Sequence, residues 1–143
     1  MVDDVIENIM QRAVDSEMIS AEQLEQVIAH KPEDVIILDI RTEVEFREGM
    51  VAHSLQYPFA HNLQNRADTE PFKHDFFSRC TPADLDADKR YILLCRTGPR
   101  TEIAVEAFVE AGLQACELVG GINGWAEQGL PLVDGQNMPR FVP

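Results

Sequence analysis

Cys95 closes a short apolar run, Tyr91 to Leu94, and is followed at once by an Arg-Thr-Gly-Pro-Arg turn, Arg96 to Arg100, that leads into a helical pattern. A cysteine so placed is a candidate nucleophile. A continuous apolar run of this kind reads as a strand buried on both faces, as in parallel sheets. The thiol then sits at the strand's carboxyl end, where open α/β sheets bind ligands. Gly98 admits backbone angles closed to other residues and Pro99 stiffens the turn. Thr101 is suited to cap a helix whose apolar positions Ile103, Ala104, Ala107, Phe108 and Ala111 follow helical spacing until Gly112 ends it. Unpaired N–H groups and the positive end of the helix dipole would surround the sulfur, and Arg96 and Arg100 add to that field; each favours thiolate, the reactive form. A strand cysteine taken alone is more often core filler. The loop behind Cys95 is what turns the reading toward chemistry.

The elements that must position this loop are legible on either side of it. Val35 to Ile40 is a second buried strand and Ser54 to Tyr57 the next. Asp39 and Arg41 fall near the same carboxyl edge as Cys95 in a parallel sheet, and read as an ion pair tying strand to loop. Ser20 with Gln23, and Thr42 with Glu45, are capping-box patterns. The first opens a helix through about Ala29; the second opens a short one over Glu43–Glu48, stopped by Gly49 and with Phe46 as its core contact. Val2, Val5, Ile6, Ile9, Met10, Ala13 and Val14 predict an amphipathic N-terminal helix, its stripe covered by the domain or by a second copy of the chain. The stretch from Phe59 to Arg90 is the least regular. Pro71, Phe72, Phe76 and Phe77 suggest a helix with an aromatic face there, and Cys80 lacks a supporting loop. Cys116, opening the run CELV, reads as core.

Composition bounds the function. At 143 residues the chain suits one domain with one core. A formal net charge of -13 argues against nucleic acid as a partner, because its phosphates would be repelled. It leaves room for an anionic substrate, since charges beyond about 8 Å are largely screened at physiological salt and the loop arginines are nearer. Three widely spaced cysteines and four scattered histidines suggest neither a disulfide framework nor a zinc site. The opening MVDDVIENIM carries acids where a secretory leader needs bases, and no apolar run is long enough for a membrane span, which together point to the cytoplasm.

The loop CRTGPRT resembles the active-site loop of rhodanese-type sulfurtransferases: Cys, basic, any, Gly, any, then Arg or Thr. Ile37 to Pro58 is similar to that family's amino-terminal signature of strand, Asp-x-Arg, Glu-Phe, Gly and a second strand closing in Pro. Leu118 to Leu132 is similar to its carboxy-terminal signature of paired glycines, Gly-Trp and Gly-x-Pro. The departure lies at Gly49 to Ser54, GMVAHS, where the family usually has Gly-His-Ile-x-Gly-Ala. The resemblance spans about Ser20 to Leu132 and implies an α/β fold, a mostly parallel central sheet flanked by helices on both faces. Residues 20–132 would form a single rhodanese-like domain, with 1–19 an N-terminal helical extension and 133–143 a tail.

The resemblance also implies thiosulfate sulfurtransferase chemistry without metal or organic cofactor. Cys95 would be catalytic; Arg96, Thr97, Gly98, Pro99, Arg100 and Thr101 would bind the substrate, and Asp39 and Arg41 would support them. The partners would be a small anionic sulfur donor and a thiol or cyanide acceptor, with a protein acceptor also compatible, and neither nucleic acid nor membrane. Arg96 and Arg100 are the candidates to anchor a sulfonate, since guanidinium matches oxyanions with paired hydrogen bonds, which favours thiosulfate over mercaptopyruvate. Three other readings stay open. A persulfide carrier would use the same cysteine, whereas a non-catalytic interaction module commonly lacks it. A cysteine phosphatase or arsenate reductase needs Cys, five residues, then Arg, and Arg100 comes one position early.

Overall fold

The continuous apolar runs become adjacent parallel strands. A computed structural model describes residues 2–30, 32–57, 70, 74, 78, 82–96, 99–135, 140 and 141. In it β1 (Met18–Ile19), β2 (Val35–Asp39), β3 (Leu55–Gln56), β4 (Arg90–Leu94) and β5 (Gln114–Leu118) form one sheet in the order β1-β5-β4-β2-β3. Every pairing is parallel. All five residues of the middle strand β4 are buried, as a strand covered on both faces requires. Pairing of Asp39 with Leu94 sets the carboxyl ends of β2 and β4 side by side, and the Ile40 N–H donates to the Leu94 carbonyl at 3.0 Å.

Alternation along the strands divides the core. Leu38, Tyr91, Leu93 and Ala115 point to one face, packed by Ala104, Val105, Ala107 and Phe108 of α4 (Pro99–Glu110). Ile37, Ile92, Leu94, Cys116 and Leu118 point to the other. That face is covered by α1 (Val2–Ser16), α2 (Ala21–His30) and α5 (Gly121–Glu127), with α3 (Glu43–Glu48) following β2. The N-terminal helix lays Ile6, Met10 and Ala13 on its own domain while Val5 stays 51% exposed. Its Glu7 meets Arg90 at 2.7 Å, and Asp34 meets the same guanidinium at 2.6 Å.

Both capping boxes form. Gln23 N–H donates to Ser20 Oγ at 3.1 Å and Ser20 N–H to Gln23 Oε1 at 3.0 Å, and Thr42 N–H donates to Glu45 Oε1 at 3.2 Å. The departure from the family pattern is accommodated in the backbone: His53 stands where the family has glycine and adopts φ 68°. Beyond the domain's last helix, Met50 and Val133 exchange hydrogen bonds of 2.8 and 2.7 Å, and the Phe141 N–H donates to the Gln56 carbonyl at 2.8 Å. Val133 and Phe141, both beyond residue 132, therefore pair back with the domain. The expected aromatic face of Pro71, Phe72, Phe76 and Phe77, and Cys80, lie outside the described residues, as do Thr97 and Gly98.

Candidate active site

Cys95 follows the last residue of β4 directly, so the strand ends by delivering its thiol to the sheet's carboxyl edge. Two elements fix it there. On one side α4 begins at Pro99, a first helical position that suits proline because its N–H would have no intrahelical acceptor. The expectation that Thr101 caps this helix is corrected: the helix starts two residues earlier, so Thr101 lies within the first turn. Its Oγ1 is 3.6 Å from the Cys95 sulfur. On the other side α5 meets the backbone: Ile122 N–H donates to the Cys95 carbonyl at 2.8 Å and Asn123 N–H to the Arg96 carbonyl at 2.9 Å. Gly121, at φ 61°, permits this approach. A Cβ there would fall 2.5 Å from the Arg96 oxygen and 2.6 Å from the Cys95 oxygen.

The loop arginines converge on one carboxylate. Arg100 Nη1 and Nη2 donate to Glu45 Oε1 and Oε2 at 2.8 and 3.0 Å, the two-pronged match of guanidinium and carboxylate. Arg96 Nε donates to Glu45 Oε2 at 3.0 Å, and its Nη2 lies 3.6 Å from Glu48 Oε2. Arg100 and Glu45 are both buried, whereas the Arg96 side chain is 45% exposed. Burial alone would raise the Glu45 pKa, but the hydrogen bonds and charge of Arg100, with help from Thr42 and Arg96, hold it at about 2. Residue patterns marked Glu45 only as a capping-box partner. The available signal was charge: two arginines beside a buried thiol need a counter-ion, and this acid stands in the Ile37 to Pro58 segment that resembles the family's amino-terminal signature.

Asp39 and Arg41 form a buried pair at the neighbouring strand end. Arg41 Nη2 and Nε reach Asp39 Oδ2 at 2.8 and 3.2 Å, and Nη2 also donates to the Gly49 carbonyl at 2.7 Å. They brace β2 against the turn after α3. Cys95 itself is 1% exposed. Cys116 is core: burial, and to a lesser degree Glu117, push its thiol up to about 12, and among the described residues that leaves Cys95 as the cysteine set in a loop of cations.

The fold and site together define a parallel α/β domain with a cysteine at the carboxyl end of its middle strand, followed in sequence by two arginines. The match narrows it. Residues 20–128 match the rhodanese-like domain, and the chain belongs to that family. A protein of Allochromatium vinosum named sulfurtransferase is 32% identical over 116 residues, 80% of this chain and 92% of that one. A putative sulfurtransferase of Bacillus subtilis is 24% identical over 99 residues, 69% of this chain and 81% of its own. Among solved structures, a rhodanese-related protein from Thermoplasma volcanium superposes with a TM-score of 0.58 at 28% identity, covering 81% of this chain and 96% of that one. The thiosulfate sulfurtransferase of Pseudomonas aeruginosa shares the fold at a TM-score of 0.61 and 21% identity, over 95% of this chain and 25% of its own.

Proposed function

We propose that this protein is a sulfurtransferase that carries a sulfane sulfur on Cys95. The observation that carries the reading is the placement of Cys95: carbonyl pinned by α5, sulfur beside the Thr101 hydroxyl in the first turn of α4, and Arg96 and Arg100 flanking it. In the first step the Cys95 thiolate attacks the outer sulfur of a donor such as thiosulfate. The new bond is Cys95 Sγ–S, the donor's S–S bond breaks, and its electron pair leaves on sulfite. In the second step an acceptor thiolate or cyanide attacks the terminal sulfur, the persulfide bond breaks and the Cys95 thiolate returns. Covalent catalysis divides one difficult transfer into two easier ones.

The loop spanning Arg96, Thr97, Gly98, Pro99, Arg100 and Thr101 is the substrate-binding segment in this reading, with main-chain donors holding the terminal sulfur. Arg96, half exposed, is the arginine at the mouth, and Arg100 holds the loop through Glu45. Asp39 and Arg41 support the strand end from which the site is built.

The test is intact-mass measurement after incubation with thiosulfate. One added sulfur on the wild type and none on Cys95→Ser is the expected result. A wild type that gains no sulfur, or a mutant that keeps it, removes the mechanism. Thiocyanate formed on adding cyanide separates turnover from mere carriage, and cleavage of an aryl phosphate instead would favour the phosphatase reading.

A further inference from the structure

One carboxylate, contributed from a helix far away in sequence, takes up both cations of the cysteine loop. Arg100 uses two of its nitrogens on the two Glu45 oxygens, and Arg96 uses Nε on one of them. Glu48 adds a second negative charge beside Arg96. The two guanidiniums thus face two carboxylates, and the neighbouring Asp39–Arg41 pair adds one charge of each sign. Glu45 is 2% exposed, where water and salt screen little of its field, and it is ionised throughout the working range of pH.

We propose that Glu45 is a specificity-determining residue for donor charge: by holding Arg96 and Arg100 it offsets their field, so that sulfane donors with one negative charge or none are used ahead of dianions such as thiosulfate. This rests on the sulfur-transfer reading above. Glu45 acts through the two arginines and does not itself meet the donor, so its role is to position them and set their net charge. A purely structural clamp would steady the loop for every reagent alike; an offsetting charge separates reagents by their own charge.

The experiment compares alkylation of Cys95 by iodoacetate, an anion, and iodoacetamide, its neutral counterpart, read by peptide mass mapping so that Cys80 and Cys116 do not contribute. In the wild type the ratio of the two rates should not exceed that of a small free thiol measured alongside. A ratio above it by about threefold or more means that the arginines act unopposed, and overturns the proposal whether or not any variant folds. In Glu45→Gln the ratio should rise about fivefold, from Coulomb's law for one charge removed at a partly screened site, and the KM for thiosulfate should fall by a similar factor. Glu45→Asp, which keeps the charge on a shorter stem, should keep the wild-type ratio. A folded Glu45→Gln whose ratio equals that of the wild type also overturns the proposal. Failure of both reagents to reach wild-type Cys95 would instead remove the sulfur-transfer reading, and the inference with it.

Discussion

What separates Cys95 from Cys116 is not burial, since both are enclosed. Cys116 lies mid-strand among Ile37, Ile92 and Leu118, where nothing compensates a charge and burial holds the proton on sulfur. Cys95 lies one residue beyond its strand, with the Thr101 hydroxyl 3.6 Å from its sulfur. The hydroxyl is the simplest part to test. Thr101→Val keeps the side-chain shape and removes the group 3.6 Å from the sulfur. A hydrogen bond to a charged group contributes about 1.5–3 kcal/mol. Sulfur loading from thiosulfate, followed in single-turnover mass measurements, should therefore slow by about tenfold or more. Denaturant unfolding should show the variant still cooperatively folded. An unaltered loading rate would take Thr101 out of the chemistry and leave it a packing residue.

At the scale of elements, the site depends on how closely α5 meets the end of β4. That approach is set by Gly121, and two glycines in the same conformational region allow a controlled comparison. Gly112, at φ 87°, has nothing within 4 Å of the Cβ it lacks. Gly112→Ala should cost only the left-handed backbone penalty, about 1 kcal/mol. Gly121→Ala adds a collision at 2.5 Å with the Arg96 carbonyl. The backbone must move there, and the expected loss is about 3 kcal/mol or more together with most of the sulfur loading at Cys95. Equal melting-temperature shifts for the two variants would mean that α5 does not brace the loop. Much of this architecture was legible in sequence: strands β2 and β4, both capping boxes, the Gly49 and Gly112 stops and the cysteine's place at a strand end all follow from local periodicity and turn chemistry. What was not legible arises between segments. The meeting of Glu45 with Arg96 and Arg100 spans some fifty positions of chain, and side-chain patterns do not register such pairs. Thr101 was misplaced for a different reason: threonine and proline both mark helix starts, and proline's fixed φ prevailed.

On the scale of the whole molecule, the excess of acids is distributed unevenly in its consequences. Glu45 is stabilised by its cations, so its contribution is present above its ordinary value of 4.5 and is lost as pH falls toward about 2. Glu117 behaves in the opposite sense. It lines a cleft of ≈ 340 Å³ between the end of α1, β1 and α4, shared with Glu17, Glu102, Glu106 and Glu110. Burial first, then the charges of Glu102 and Glu17, raise its pKa from 4.5 to about 7. Between those values the folded chain holds a proton that the unfolded chain releases. Stability contributed by this group therefore falls as pH rises from 4.5 to 7 and stays low above it. For a partly buried carboxylate the penalty, discounted for solvent screening, is on the order of 1–2 kcal/mol. Glu117→Gln removes it. The variant should melt about 3–5 °C above the wild type at pH 8, and the gap should close as pH is lowered to 5. Cys95 is not among the residues lining this cleft, so sulfur loading serves as a control for the fold. A gap that stays constant across this range would mean that the glutamine acts by packing, and that the crowding of carboxylates in the cleft has no cost to the protein.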